Sequence, residues 1–335
     1  MLSISDILKK MYTVKSPSGF EGEMARVIAE MADEAGLTHC TDALGNLVVR
    51  RPGVGKRVLL DAHMDTTGFL ATYVDEKGFI RFDALGGLCP AELHNTPVEF
   101  LDGTCGTVSY EQKTALKDRK ISSFFIDIGA ADEKEARKRV LPGDAAVFSG
   151  GIRELSGKKI SAPYLDNRLG CAVALYTVMS LADCAYDVYA AFSVQEEVGC
   201  RGAKTAAYAT DVDFAIVLDV TDACDSTGFD GYGEVKMGSG AAIKIMDKAA
   251  IAHPAIVSAL IRCAEENKIS YQRDVITIGG TDAGSIHLTR NGIPTGGISV
   301  PVRYMHSPAE VADLEDAEAA AKLLLRALES NAIIM

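Results

Sequence analysis

Residues 167–220 read NRLGCAVALYTVMSLADCAYDVYAAFSVQEEVGCRGAKTAAYATDVDFAIVLDV, and the alternation within this stretch decides the fold. Apolar side chains recur at helical spacing over 167–182, give way to the short apolar run YDVYAAFSV, return at helical spacing in RGAKTAAYA and close in the run DFAIVL. The reading is helix 167–182, strand 187–195, helix 202–209 and strand 213–220, the succession of an α/β architecture. Two adjacent glutamates, Glu196 and Glu197, close the first apolar run. A carboxylate carried into such surroundings is costly unless it is paired, so this pair calls for a compensating charge.

Working outward, the alternation continues as strand 240–246, helix 254–268, strand 274–278, helix 282–290, strand 296–300 and helix 310–330. On the other side, residues 5–35 have helical periodicity, with Ser18-Gly19-Phe20-Glu21 as a capped start and an end near Gly36. A hairpin around Leu44-Gly45-Asn46 and the strand KRVLLDAHMD follow. Between residues 68 and 160 the texture changes to short alternating segments separated by glycine turns, among them GFLATYVDEKGFIRF, VEFLDGTCGTVSYE and ISSFFIDIG. The expectation is a three-layer α/β catalytic domain with a mixed central sheet, formed by residues 1–66 and 160–335. A small β-barrel or sandwich domain at 67–159 interrupts it.

The chain has 335 residues, 48% of them hydrophobic, with Lys+Arg 34 against Asp+Glu 46 and a net charge of -12. That charge repels phosphate backbones and anionic lipid, so nucleic-acid and membrane-surface partners are excluded and a small or peptide substrate is expected. The first residues lack a basic-then-apolar pattern and no apolar run is long enough to span a bilayer, which predicts a cytoplasmic protein. Eight cysteines occur without CxxC pairs. They suggest neither a zinc ribbon nor a redox motif, and most are expected to be small core residues.

Charged groups gather where apolar segments begin or end. His63 and Asp65 follow RVLLDA, Asp166 precedes the helix from Asn167, Glu196 and Glu197 follow YAAFSVQ, Asp219 ends FAIVL, and His306 follows GGISVPVRYM. In an open α/β sheet the carboxyl ends of parallel strands border one crevice, so these groups can meet despite their separation in sequence. Singly, Asp166 reads as a helix cap, His306 as a loop histidine and Asp219 as a solvated strand end. Together, two histidines and five carboxylates need cations to neutralise them, which points to two divalent metal ions. Nitrogen and oxygen donors without thiolate suit zinc first, and cobalt or manganese as well.

The strings AHMD (62–65), DNRLG (166–170), QEEVGCRGA (195–203), LDVT (218–221), GGTDAG (279–284) and PVRYMHSPAE (301–310) closely resemble metallopeptidase family 42, the glutamyl and tetrahedral aminopeptidases, some members of which are labelled endoglucanases. The resemblance implies an aminopeptidase that removes N-terminal residues from peptides. His63 and Asp219 would hold one metal, Glu197 and His306 the other, and Asp166 would bridge both. Asp65 would orient the His63 imidazole, and Glu196 would be the general base toward water. The inserted domain would mediate assembly into a homo-oligomer, often a dodecameric tetrahedral shell. Two departures stand out: members commonly read HMDEIGF where this chain has Thr66 and Thr67, and residues 91–100 replace a longer stretch. His39, His94, His253 and His287 match no ligand position, and neither Cys200 nor Cys224 gains a role. Thr281 and Asp282 are read as opening a helix, and Arg303 as meeting a carboxylate. Two other readings remain: a deacylase or other amide hydrolase on the same metal pair, and a non-enzymatic scaffold with a decayed site.

Overall fold

A computed structural model describes residues 2–115, 118–182, 184–229, 231 and 233–333. The chain opens with α1 (Ile4–Met11), α2 (Gly22–Glu34), the hairpin strands β1 (Thr38–Thr41) and β2 (Leu47–Arg51), and β3 (Arg57–His63). Next come β4 (Gly68–Val74), β5 (Ile80–Leu85), β6 (Thr96–Phe100), β7 (Cys105–Tyr110), β8 (Phe124–Asp127), the one-turn α3 (Glu133–Ala136) and β9 (Ala145–Phe148). The chain then forms β10 (Arg153–Glu154), β11 (Lys159–Ala162), α4 (Leu165–Ser180), β12 (Asp187–Ser193), α5 (Arg201–Thr210) and β13 (Phe214–Asp222). It ends with β14 (Ala241–Met246), α6 (Pro254–Glu266), β15 (Tyr271–Val275), α7 (Ala283–Ile286), β16 (Thr295–Arg303), β17 (Glu310–Asp313) and α8 (Leu314–Glu329).

Among the described residues an 11-stranded mixed sheet runs in the order β1-β2-β12-β3-β13-β16-β17-β11-β10, with β14 joined to β16 and β15 to β14. Its centre is parallel: β3 lies between β12 and β13, and β13 pairs with β16. These strands are covered on both faces, which is why β3 and β13 read as nearly unbroken apolar runs. Along β3 the side chains alternate: Val58 and Leu60 join the large core under α1, α2, α4, α6 and α8, while Leu59 joins a smaller one under α5 and α7. Ala203, Ala206 and Ala207 form the inner face of α5 and let it lie close to the sheet. The result is three layers, with the carboxyl ends of β3, β12, β13 and β16 on one edge.

Strands β4-β5-β8-β7-β6-β9 close into a barrel with its own core. Phe69 is its hinge pin, with the rings of Phe82 and Phe148 edge-on at 5.0 and 5.2 Å. Among the described residues, closure gives each barrel strand a hydrogen-bonded neighbour on both sides.

Several local expectations give way to tertiary structure. Residues 310–313 form β17, paired antiparallel with β16 and β11, and the Asp313 carboxylate starts α8 by accepting from Glu315 N. Helix α7 is one turn and stops at Ile286 instead of running to 290, and β15 overlaps the predicted 274–278 only at its end, Asp274 and Val275. Ser18 does not cap α2, whose N-cap Glu21 makes no side-chain cap hydrogen bond; Ser18 Oγ instead donates to Asp65 Oδ2 (2.7 Å). The cysteines are free, but only Cys171 and Cys263 are buried, while Cys40, Cys89 and Cys105 are exposed. No helix among the described residues is long and apolar enough to cross a membrane.

Candidate metal centre

The sheet edge gathers the charged residues. His63 is the last residue of β3, Asp219 lies near the end of β13, and His306 follows β16 with φ 62°. Strand β12 ends at Ser193 and Gln195 turns with φ 58°, so Glu196 and Glu197 occupy a tight turn and not the two faces of a strand. Asp166 is not a helix cap: Tyr164 holds that position, and Asp166 departs from helical geometry (φ -78°, ψ 110°) at the start of α4. One donor atom from each of His63, Asp166 and Asp219 lies within 4.8 Å of the others, and Asp166, Glu197 and His306 form a second such triad. Asp166 is common to both.

Two buried carboxylates hold the chain segments that carry these donors. Asp65 accepts from the backbone N–H groups of Glu196 (2.9 Å) and Glu197 (3.2 Å) as well as from Ser18. Glu310, which the sequence reading did not single out, accepts from the backbone N–H of Asp166 (3.0 Å) and of His306 (2.8 Å). Each carboxylate thus fixes two chemically important residues through their main chain.

The imidazoles define what the site lacks. His63 Nδ1 lies 3.1 Å from the Asp65 carbonyl and His306 Nδ1 lies 2.9 Å from the Gly87 carbonyl; a carbonyl only accepts, so both Nδ1 atoms carry the hydrogen. Asp65 therefore meets His63 Nδ1 mainly through its backbone oxygen, with its carboxylate farther off at 3.5 Å. Each Nε2 faces carboxylates: His63 at 3.2 Å from Asp166 Oδ1 and 3.6 Å from Asp219 Oδ1, and His306 at 3.1 Å from Asp166 Oδ2 and 3.5 Å from Glu197 Oε2. A neutral imidazole would aim its Nε2 lone pair at those oxygens, a repulsive arrangement unless a cation or a second proton lies between. Asp166 Oδ1 and Glu197 Oε1 are buried without a hydrogen-bond partner. Lone pairs, orphaned oxygens and the N/O donor set fit two divalent cations.

The electrostatics agree. For His63, burial alone would depress protonation, yet Asp166, Asp219 and Asp65 raise its pKa well above the usual value. Burial likewise opposes the charge on His306, but Asp166 and Glu197 raise its pKa to about 11. Glu196 belongs to neither triad; burial foremost, with Asp282, Asp219 and Asp166 nearby, pushes its carboxyl to about 8. Without cations the carboxylates are too crowded to ionise together.

Other expectations are met in altered form. Arg303 does meet a carboxylate, the protein's own Asp225, in two 2.7 Å contacts. Asp282 stands at the N-cap position of α7, but its side chain makes no cap hydrogen bond: it is buried and accepts from Ser193 Oγ (2.9 Å). Thr281 donates to Asp247 Oδ2, and Thr66 is buried with its hydroxyl toward the Ser16 carbonyl. His39, His94 and His287 meet Asp33, Tyr110 and the Ala283 carbonyl respectively, and His253 starts α6, so none of the four joins a triad.

The centre opens into a cavity of about 490 Å³. Val220, Ile276, Ile278 and Met305 supply apolar wall and Asp222 a further carboxylate; no lysine or arginine among the described residues lines it.

The family model of the M42 glutamyl aminopeptidases matches residues 45–323. An aminopeptidase-like protein of Acetivibrio thermocellus is 43% identical over 324 residues, 96% of this chain and 98% of that one. Among solved structures, an aminopeptidase from the archaeon Desulfurococcus kamchatkensis superposes with a TM-score of 0.93 at 35% identity, covering 98% of this chain and 94% of its own. The TET1 peptidase of Pyrococcus horikoshii, which can assemble into a tetrahedron or a large octahedral shell, matches with a TM-score of 0.85 at 31% identity over 97% of this chain and 99% of its own.

Proposed function

This chain belongs to the M42 glutamyl aminopeptidase family, and on that footing we propose that it removes N-terminal residues from peptides at a two-metal centre with Glu196 as general base. The observation that carries the metal reading is the pair of imidazoles whose Nδ1 hydrogens are committed to backbone carbonyls and whose Nε2 atoms face carboxylates. His63 and Asp219 would hold one divalent ion, Glu197 and His306 the other, and Asp166 would serve both. Two such ions supply Lewis acidity toward the peptide carbonyl and lower the pKa of water. Zinc, cobalt and manganese all suit this donor set.

The remaining chemistry lies in the chain's own groups. Glu196, in neither triad, takes a proton from the attacking water and returns it to the departing amide nitrogen. Asp65 holds the turn that aims it. The acidic cavity favours the protonated α-amine of a peptide over a blocked terminus. With no lysine or arginine among the described lining residues, it also favours an apolar or basic first residue over an acidic one. By analogy with the Pyrococcus horikoshii peptidase, the barrel domain of residues 67–159 would mediate assembly into a closed shell.

The test is prolonged chelation followed by re-addition of Zn²⁺, Co²⁺ or Mn²⁺, assayed on matched peptides with free and acetylated N-termini. Activity should vanish, return with metal, and be confined to free termini, with leucyl and lysyl peptides ahead of glutamyl ones. Undiminished cleavage by metal-free protein would remove the metal reading; preference for acetylated substrates would make the protein a deacylase.

A further inference from the structure

Beside the two donor triads lies a third group that the aminopeptidase chemistry does not use. We propose that Glu196, Cys200 and Asp282 form a third cation site, selective for thiophilic divalent ions such as zinc, whose occupation withdraws Glu196 from proton transfer. The blocking effect rests on the reading of Glu196 as the general base; the ion site does not.

One donor atom from each of the three residues lies within 4.8 Å of the others. Cys200 Sγ is 3.3 Å from Glu196 Oε1, a separation that one zinc can span, since zinc–sulfur and zinc–oxygen bonds are about 2.3 and 2.0 Å. The backbone builds the approach: Gly199 has φ 124° and Cys200 itself has φ 52°, which turns the chain back at the start of α5 and brings the thiol under the glutamate. Asp282 is 1% exposed, and its Oδ1 has no hydrogen-bond partner, while Oδ2 accepts from Ser193. Behind it Asp61 is fully buried with Oδ1 also without a donor group, and the two carboxyls contact each other with their pKa values raised by burial, that of Asp61 to about 7. A cation is one way to satisfy these oxygens, and a proton shared by the pair is the other.

A sulfur with two carboxylates selects zinc, cadmium or cobalt and rejects magnesium and calcium, which require oxygen ligands in larger number. On binding, the thiol proton leaves to solvent and the ion takes the sulfur lone pair, without any change of oxidation state. An ion so placed occupies the Glu196 carboxylate, so the enzyme would be inhibited by excess of the same metal that activates it.

The experiment titrates cobalt into protein already holding two Co²⁺ per chain, following bound ion, the near-ultraviolet absorption and peptide hydrolysis together. The expected result is a third bound ion with a sulfur-to-cobalt charge-transfer band, accompanied by falling turnover. Cys200→Ser keeps a hydroxyl donor to Glu196 but removes the sulfur, so it should lose the band and shift inhibition at least about tenfold higher in metal, since losing a ligand harms affinity no less than losing a supporting residue. If Cys200→Ser folds poorly, the band in the unaltered protein still decides. No third ion and no band, with chelator-sensitive activity intact, overturns this inference alone. A third ion with the band but full turnover overturns the blocking effect and, with it, Glu196 as the base.

Discussion

Glu196 and Glu197 are adjacent, share one turn and have their backbone N–H groups on the same Asp65 carboxylate, yet they face different surroundings. Glu197 lies among Asp166 and His306 with a buried, unpartnered Oε1, whereas Glu196 lies toward Cys200. Glu196→Gln keeps the shape and removes the proton acceptor, so turnover should fall by roughly 10²–10⁴-fold with two ions still bound. Glu197→Gln removes an anionic donor, so one ion should be lost and partly restored by excess manganese, which has little affinity for the thiol of Cys200. Bound metal per chain, measured beside hydrolysis for both variants, decides the division; metal loss from Glu196→Gln alone would reverse it. The adjacency of the two acids was readable from the sequence, and so were His63, Asp166, Asp219 and His306 as candidates, because each stands where an apolar segment begins or ends. Glu310 was not. It acts through two backbone N–H groups, 144 and 4 residues away, and only the folded sheet edge brings those to one carboxylate.

The barrel reaches the candidate metal centre through the turn after β5. Gly86 has φ 83°, and a Cβ there would stand 2.7 Å from Glu197 Oε2 and 2.9 Å from Thr67 Cγ2. The next residue, Gly87, receives the Nδ1 hydrogen of His306. Gly86→Ala should therefore lower affinity for the ion proposed at Glu197 and His306, by about 10–100-fold as for other supporting contacts, and leave an ion proposed at His63 and Asp219 nearly unchanged. The left-handed backbone adds only about 1–2 kcal/mol of destabilisation. A two-step metal titration separates the steps; equal affinity for both ions in the variant would show that the turn does not position the site. No sequence pattern announces this contact, because glycines at 86 and 87 read simply as a turn. The same limit explains the misplaced elements: Glu310–Asp313 is periodic enough to extend the following helix, but pairing with β16 and β11 makes it a strand. Helix α7 stops at Ile286, and the chain turns just beyond it at Arg290 and Gly292, with φ 58° and 102°. The α/β succession and the barrel were readable because repeated spacing carries them; single pairings are not repeated.

At the scale of the whole molecule, the barrel and the sheet have separate cores, so the barrel is not required to complete the catalytic layers. It offers outward surface: Tyr73, Leu101 and Leu141 are exposed although large and apolar, and such side chains gain by burial against another copy. With a net charge of -12, copies repel one another at long range, so association has to come from specific surfaces and not from general stickiness. If those surfaces close a shell, the active centres face an interior that only short or unfolded chains enter, and selectivity for substrate length follows from geometry without any contact at the metals. The intact protein should therefore sediment as a large homo-oligomer, cleave short unblocked peptides, and spare a folded protein whose N-terminus has the same sequence. Replacing Tyr73 and Leu141 together by aspartate should produce a smaller species that still cleaves the short peptides. Sedimentation of the unaltered chain as a monomer at micromolar concentration would dispose of the shell while leaving the metal chemistry intact; a large oligomer that trims folded and short substrates at equal rates would mean that the active centres lie on the outside.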